Sequence, residues 1–168
     1  MKLASIEDVY AAQLGDLRSA ETQLIEALPA MAEAASDRKL EQALTAHLEQ
    51  TVRHLQRLEE IIAASPSPVP DARSEAMRGL IDEGARIIQA EGPPEVKDVA
   101  LIAAAQRIEH YEISAYGTAR ALADQLDQRD ARQILGETLE EESQTDELLT
   151  KLATGGLIVS GLNERAQP

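Results

Sequence analysis

The sequence predicts an all-α protein, an antiparallel four-helix bundle whose middle connection is a long crossover carrying a fifth, shorter helix. Three observations predict it. Hydrophobic residues make up 43% of the 168, yet the aromatics are three tyrosines with no Phe or Trp. The interior must therefore be built from Leu, Ile, Val, Ala and Met, which favours packed helices over strands. Four long stretches repeat apolar residues at the spacing of one helix face. Proline clusters separate them into two pairs. A chain of this length fits one domain around one core.

The first helix is expected over residues 4–35, where Ile6, Tyr10, Leu14, Leu17, Leu24, Leu28, Met31 and Ala35 fall on one stripe. Pro29 inside it predicts a kink, and Ser36 is read as the N-cap of the next helix. That second helix spans 37–64, with Leu40, Leu44, Leu48, Leu55, Leu58 and Ile61 inward. SPSPVPD, from Ser65 to Asp71, holds three prolines and ends any helix. A shorter amphipathic helix over 73–90, with Met77, Leu80, Ile81, Ala85 and Ile88 apolar, is read as the crossover helix. The third long helix covers 94–126, with Pro94 in its first turn, and the fourth covers 129–153. Gly155 and Gly156 stop it before a tail, 155–168, whose LIVSGL stretch is either ordered or frayed.

Short links make each pair an antiparallel hairpin. At roughly 1.5 Å per helical residue, the crossover can run the length of the bundle, making the second and third long helices parallel neighbours. A single long crossover is the connection that ferritin-like bundles use.

Thirty acids against 16 bases give a formal charge of −14, which repels phosphate backbones and anionic membrane surfaces, so neither nucleic acid nor membrane is an expected partner. The absence of cysteine excludes disulfides, thiolate metal sites and thiol nucleophiles. MKLASIEDVYAAQ lacks the apolar stretch of a secretory signal, and no run approaches the roughly 18 apolar residues of a membrane span. A cytoplasmic protein is the expectation. With no Gly-rich phosphate loop and no nucleophile elbow, the usual covalent hydrolase routes lack their parts.

Helical wheels put most charges outside the apolar stripes, with few exceptions. Glu21 shares a face with Leu17, Ile25 and Leu28. His47, Thr51 and His54 share one with Leu44 and Leu58. Glu112 lines up with Ala105, Tyr116 and Ala119, and Glu109 lies one turn earlier at the stripe's margin. Glu142 is in register with Leu135, Leu139 and Leu149, and Asp146 one turn on points the same way. Glu49, His110, Glu140 and Glu141 face outward. Each long helix thus offers an ionisable group to the interior near its middle. Buried carboxylates cost several kcal/mol unless compensated, either by a divalent cation or by shared protons in a network with Thr51 and Tyr116. Carboxylates beside imidazole suit iron, manganese or zinc. Tyr10 and Tyr116 are read as core fillers.

The blocks SIEDVYAAQLGDLRSAETQL, LTAHLEQTVRHLQRLE, ALIAAAQRIEHYEISAYGTARALA and ETLEEESQTDELL resemble the YciE/YciF ferritin-like family of stress-associated bacterial proteins. The resemblance implies a ferritin-like subunit, commonly a homodimer, with a metal pair inside. The metal ligands it implies are Glu21, His54, Glu109, Glu112, Glu142 and Asp146, and the cofactor is a divalent metal, iron or manganese, with zinc as the alternative. Two positions depart from the Glu-x-x-His pattern of di-iron bundles, because the chain has Thr51-x-x-His54 and Glu142-x-x-Thr145. His47 and Asp146 are the residues that can substitute.

Two functional readings follow. One is a metal-binding stress protein with redox chemistry, such as iron oxidation or peroxide removal, at a dinuclear centre. The other is a non-enzymatic bundle acting by association as a homodimer, with Leu80, Ile81, Ile87 and Ile88 of the crossover as contact residues.

Overall fold

The structure, a computed structural model, describes residues 4–155 and 160–167. Its helices are α1 (Ile6–Ala34), α2 (Arg38–Ala64), α3 (Glu75–Gln89), α4 (Pro94–Gln125), α5 (Arg129–Thr154) and the short α6 (Leu162–Arg165). Gly156 and the LIV of the LIVSGL stretch lie outside the described residues. No helix among those described is long and apolar enough to cross a membrane.

Local chemistry sets the boundaries. α1 opens on a capping box: the Ser5 hydroxyl accepts from the Asp8 N–H at 3.3 Å, and the Asp8 carboxylate accepts from the Ser5 N–H at 3.2 Å. The helix runs through Pro29 to Ala34. The N-cap of α2 is Asp37 rather than Ser36; its carboxylate accepts from the N–H groups of Lys39 (2.9 Å) and Leu40 (3.2 Å). Ser36 is drawn away by Asp98 of α4, a buried carboxylate accepting from the Ser36 N–H (2.8 Å), the Ser36 hydroxyl (2.6 Å) and the Asp37 N–H (2.8 Å). These charge-assisted bonds pin the α1–α2 turn onto the neighbouring hairpin. Between α4 and α5 the chain turns through Asp127 at φ 55°, a left-handed conformation that Asp tolerates better than most residues.

α1 packs on α2 and α4, and α5 packs on α4 and α2. α2 and α4 therefore run parallel but stand across a diagonal, correcting the expectation that they are neighbours. Each of the four long helices then lies antiparallel to both long helices it packs against, so opposite dipole ends meet. The diagonal placement works because the crossover travels outside the bundle, with α3 lying over α1 and α4. Its Leu80, Ile81, Ile87 and Ile88 are half-buried against the core beneath. At the loop before α3, the Pro70 carbonyl oxygen would sit only 2.5 Å from a Cβ at position 15, a close approach that requires Gly15.

The apolar core divides in two. Leu24, Leu28, Met31, Leu40, Leu44, Met77, Leu101, Ile108 and Leu149 fill one end of the bundle. Tyr10, Leu14, Leu17, Leu58, Ile61, Tyr116 and Leu135 fill the other. On each long helix the residues between these two sets are polar and buried: Glu21, then His47, Thr51 and His54, then Glu109 and Glu112, then Glu142.

Candidate metal centre

Helical periodicity brings these groups together at the waist of the bundle. Glu109 and Glu112 are three residues apart on α4, and His47 and His54 seven apart on α2, so each pair shares one face. Glu21, His47, His54, Glu109, Glu112 and Glu142 are each at most 1% exposed.

Two overlapping groups result. His47, Glu109, Glu112 and Glu142 each bring one donor atom within 4.8 Å of the others, and so do Glu21, His54 and Glu142. Glu142 belongs to both. Its Oε1 lies 2.9 Å from His54 Nδ1, and its Oε2 lies 3.9 Å from His47 Nδ1. His47 Nε2 is 3.3 Å from Glu109 Oε1, and His54 Nδ1 is 3.6 Å from Glu21 Oε1.

These buried donors could hold a cation. Ten buried side-chain oxygen or nitrogen atoms among the described residues lack a hydrogen-bond partner, and all but the Tyr10 hydroxyl belong to these six residues. Native interiors leave few polar atoms unsatisfied, so such a concentration calls for an ion or shared protons. Donor atoms about 2.1 Å from one octahedral ion lie about 3 Å apart when adjacent. The 2.9 Å and 3.3 Å separations at His54 and His47 are of that size, yet neither has the alignment of a hydrogen bond. Imidazole with carboxylate suits iron, manganese or zinc.

The electrostatics agree. Burial, with Glu142 beside it, pushes the Glu21 carboxyl up to about 8, against the opposing pull of His54 and the Tyr116 hydroxyl. Burial, then the surrounding acids led by Glu142, holds Glu109 and Glu112 well above the usual carboxylate range. Burial pushes His47 down; Gln50 is close by but not in hydrogen-bond geometry with the ring. Burial also disfavours charge on His54, but Glu142, Glu21 and Glu141 outweigh it and the ring is raised. Carboxyl groups so placed hold protons until a cation displaces them.

Of the residues named from the sequence, Glu21, His54, Glu109, Glu112 and Glu142 converge, and His47 joins them. Asp146 stands apart: its carboxylate is part-exposed, accepts from the Gln106 amide at 2.9 Å and lies 3.3 Å from the exposed His110. Glu141, expected to face outward, is the residue the wheel missed. Its side chain is 27% exposed, its Oε2 lies 2.7 Å from His54 Nε2, and Arg57 grips both of its oxygens at 2.8 and 3.0 Å. The Arg57 pairing holds Glu141 below the usual carboxylate range, His54 adding to it. Tyr116 donates a hydrogen bond to Glu21 and orients it.

Comparison with known proteins agrees with this architecture. The chain is 44% identical over 168 residues to Protein YciF of Escherichia coli strain K12, covering 99% of this chain and 98% of that protein. The crystal structure of the E. coli stress protein YciF superposes with a TM-score of 0.86 at 46% identity, covering 89% of this chain and 94% of the other. YcfI of Rhodopseudomonas palustris matches with the same TM-score of 0.86 at 35% identity, covering 90% and 97%. The model of a domain of unknown function, DUF892, matches residues 5–165, and the chain belongs to that family.

Proposed function

We propose that this protein binds two divalent metal ions at the waist of its bundle and carries out redox chemistry there in a stress response. The observation that carries the reading is Glu142, the one residue common to both donor groups. A carboxylate so shared would help to hold both ions. Glu21 and His54 complete one set, and His47, Glu109 and Glu112 the other. The charge supports two ions, since four buried carboxylates, Glu21, Glu109, Glu112 and Glu142, are balanced by two divalent cations. Similarity to a stress protein supports the physiological setting.

Iron or manganese held there supplies one-electron redox chemistry toward dioxygen or peroxide. The chain's own contribution is to fix the donors on four rigid helices and to exclude water with an apolar cluster at each end. Tyr116 orients Glu21. Relative to di-iron bundles that take a histidine from each of two helices, both imidazoles here come from α2, and α4 adds a second carboxylate.

Metal-depleted protein reloaded with iron(II) or manganese(II) is expected to retain about two ions per chain by elemental analysis. The Glu21→Ala, Glu142→Ala double variant is expected to lose nearly all of it. Wild-type content well below one ion per chain overturns the proposal. Loaded protein should also accelerate iron(II) oxidation by dioxygen or peroxide over the variant, read by absorbance.

A further inference from the structure

We propose that Glu141, braced by Arg57, is a positioning residue that turns the Nδ1 edge of His54 into the core, making the ion held by Glu21, His54 and Glu142 the tighter of the two. This rests on the two-ion reading above and assigns the two halves of the site different strengths.

The geometry is one-sided. An imidazole has two nitrogens, and whichever one is engaged by an outer acceptor leaves the other for a metal. For His54 the outer acceptor is Glu141 Oε2, 2.7 Å from Nε2. Nδ1 is left facing Glu142 at 2.9 Å and Glu21 at 3.6 Å. Glu141 cannot readily swing away, because Arg57 holds its two oxygens at 2.8 and 3.0 Å and also donates to the Thr138 hydroxyl at 3.2 Å. The chain is continuous from a surface cation, through a carboxylate, to a buried imidazole.

His47 has no such backing. Neither of its ring nitrogens has a hydrogen-bond partner, so nothing outside the donor cluster fixes which nitrogen it presents or how the ring is turned. An outer carboxylate raises the basicity of a ligating imidazole and fixes its orientation, and its loss typically weakens binding 10–100-fold. As a mere surface ion pair, Glu141–Arg57 would contribute little to anything.

The test is a calorimetric titration of the metal-depleted full chain with manganese(II) chloride. Wild type is expected to bind in two steps of different affinity. Glu141→Ala should weaken the tighter step by roughly 10–100-fold and leave the other unchanged. Glu141→Gln, which keeps an acceptor oxygen toward Nε2, should fall between them. In 1H–15N imidazole spectra of zinc-loaded wild type, His54 should carry its proton on Nε2. Two indistinguishable steps in wild type, unchanged or equal weakening of both steps in Glu141→Ala, or a His54 proton on Nδ1 would overturn the assignment alone. No uptake by wild type would overturn the two-ion reading and this with it.

Discussion

The Glu112 carboxyl has both oxygens buried and unpartnered, and burial together with Glu142, Glu21 and Glu109 raises its pKa well above the usual value. In metal-free protein it is a liability that grows as pH rises and the neighbouring acids ionise. Glu112→Gln is of the same size but cannot ionise. Metal-free Glu112→Gln should therefore be more stable than metal-free wild type at mildly alkaline pH, by about 1–3 kcal/mol, while the two are close at acid pH. Its metal content should fall by about one ion, because Glu112 belongs only to the His47 group. Urea unfolding with chelator and elemental analysis read the two effects; a variant no more stable at alkaline pH removes the idea that Glu112 strains the metal-free core. Most of this site was legible in the sequence, because a residue on the apolar stripe between two leucines must face the core. What escaped was reach. A wheel gives the direction of Cα–Cβ, so Glu141 plotted outward although its long side chain curls back to His54. Asp146 plotted inward, but its carboxyl is one methylene short of a glutamate's, and Gln106 and His110 take it up at the rim.

At the scale of elements, the crossover is where packing overrides propensity. A glycine inside a helix usually costs about 1 kcal/mol relative to alanine. Gly79 of α3 obeys that rule, since a Cβ there meets nothing within 4 Å. Gly79→Ala should stabilise by up to about 1 kcal/mol. Gly15 inverts it, because the Pro70 carbonyl oxygen occupies the space 2.5 Å from its would-be Cβ, and Arg18 holds the same loop through Pro70 and Asp71 at 3.3 and 3.1 Å. Gly15→Ala should push the loop off α1 and cost about 1–2 kcal/mol net, the overpacking outweighing the helical gain. Thermal unfolding of both variants checks the opposite signs; stabilisation by both would mean that the loop yields freely. The five longer helices were readable because prolines and apolar spacing are local signals, whereas the short α6 in the tail was not. The Asp98 clamp on the α1–α2 turn was not, since it joins residues 61 and 62 positions apart. The diagonal placement of α2 and α4 was equally hidden: crossover length bounds the distance spanned but not which groove the crossover follows.

For the whole molecule, the waist ties stability to pH and to metal with opposite slopes. Glu21, raised from 4.5 to about 8, together with Glu109 and Glu112, binds protons more tightly folded than unfolded. A raised folded-state pKa contributes stability that is fully present below the unfolded value and lost as pH rises through the folded one. His54, also raised, acts in the same direction, whereas His47, lowered, opposes it on the acid side of its ordinary value. Metal-free protein should therefore lose stability as pH rises from about 4.5 to about 8, at roughly 1.4 kcal/mol per pH unit for each extra proton the folded state holds. Loaded protein must reverse the trend, because a cation binds the carboxylates only after displacing their protons, so its affinity, and the stability it confers, rise with pH. Urea midpoints measured across that range, with chelator and with excess manganese(II), should diverge toward alkaline pH. Parallel curves would mean that the same protons are held with or without metal, so that the buried acids and imidazoles form a hydrogen-bonded core network and not a site for cations.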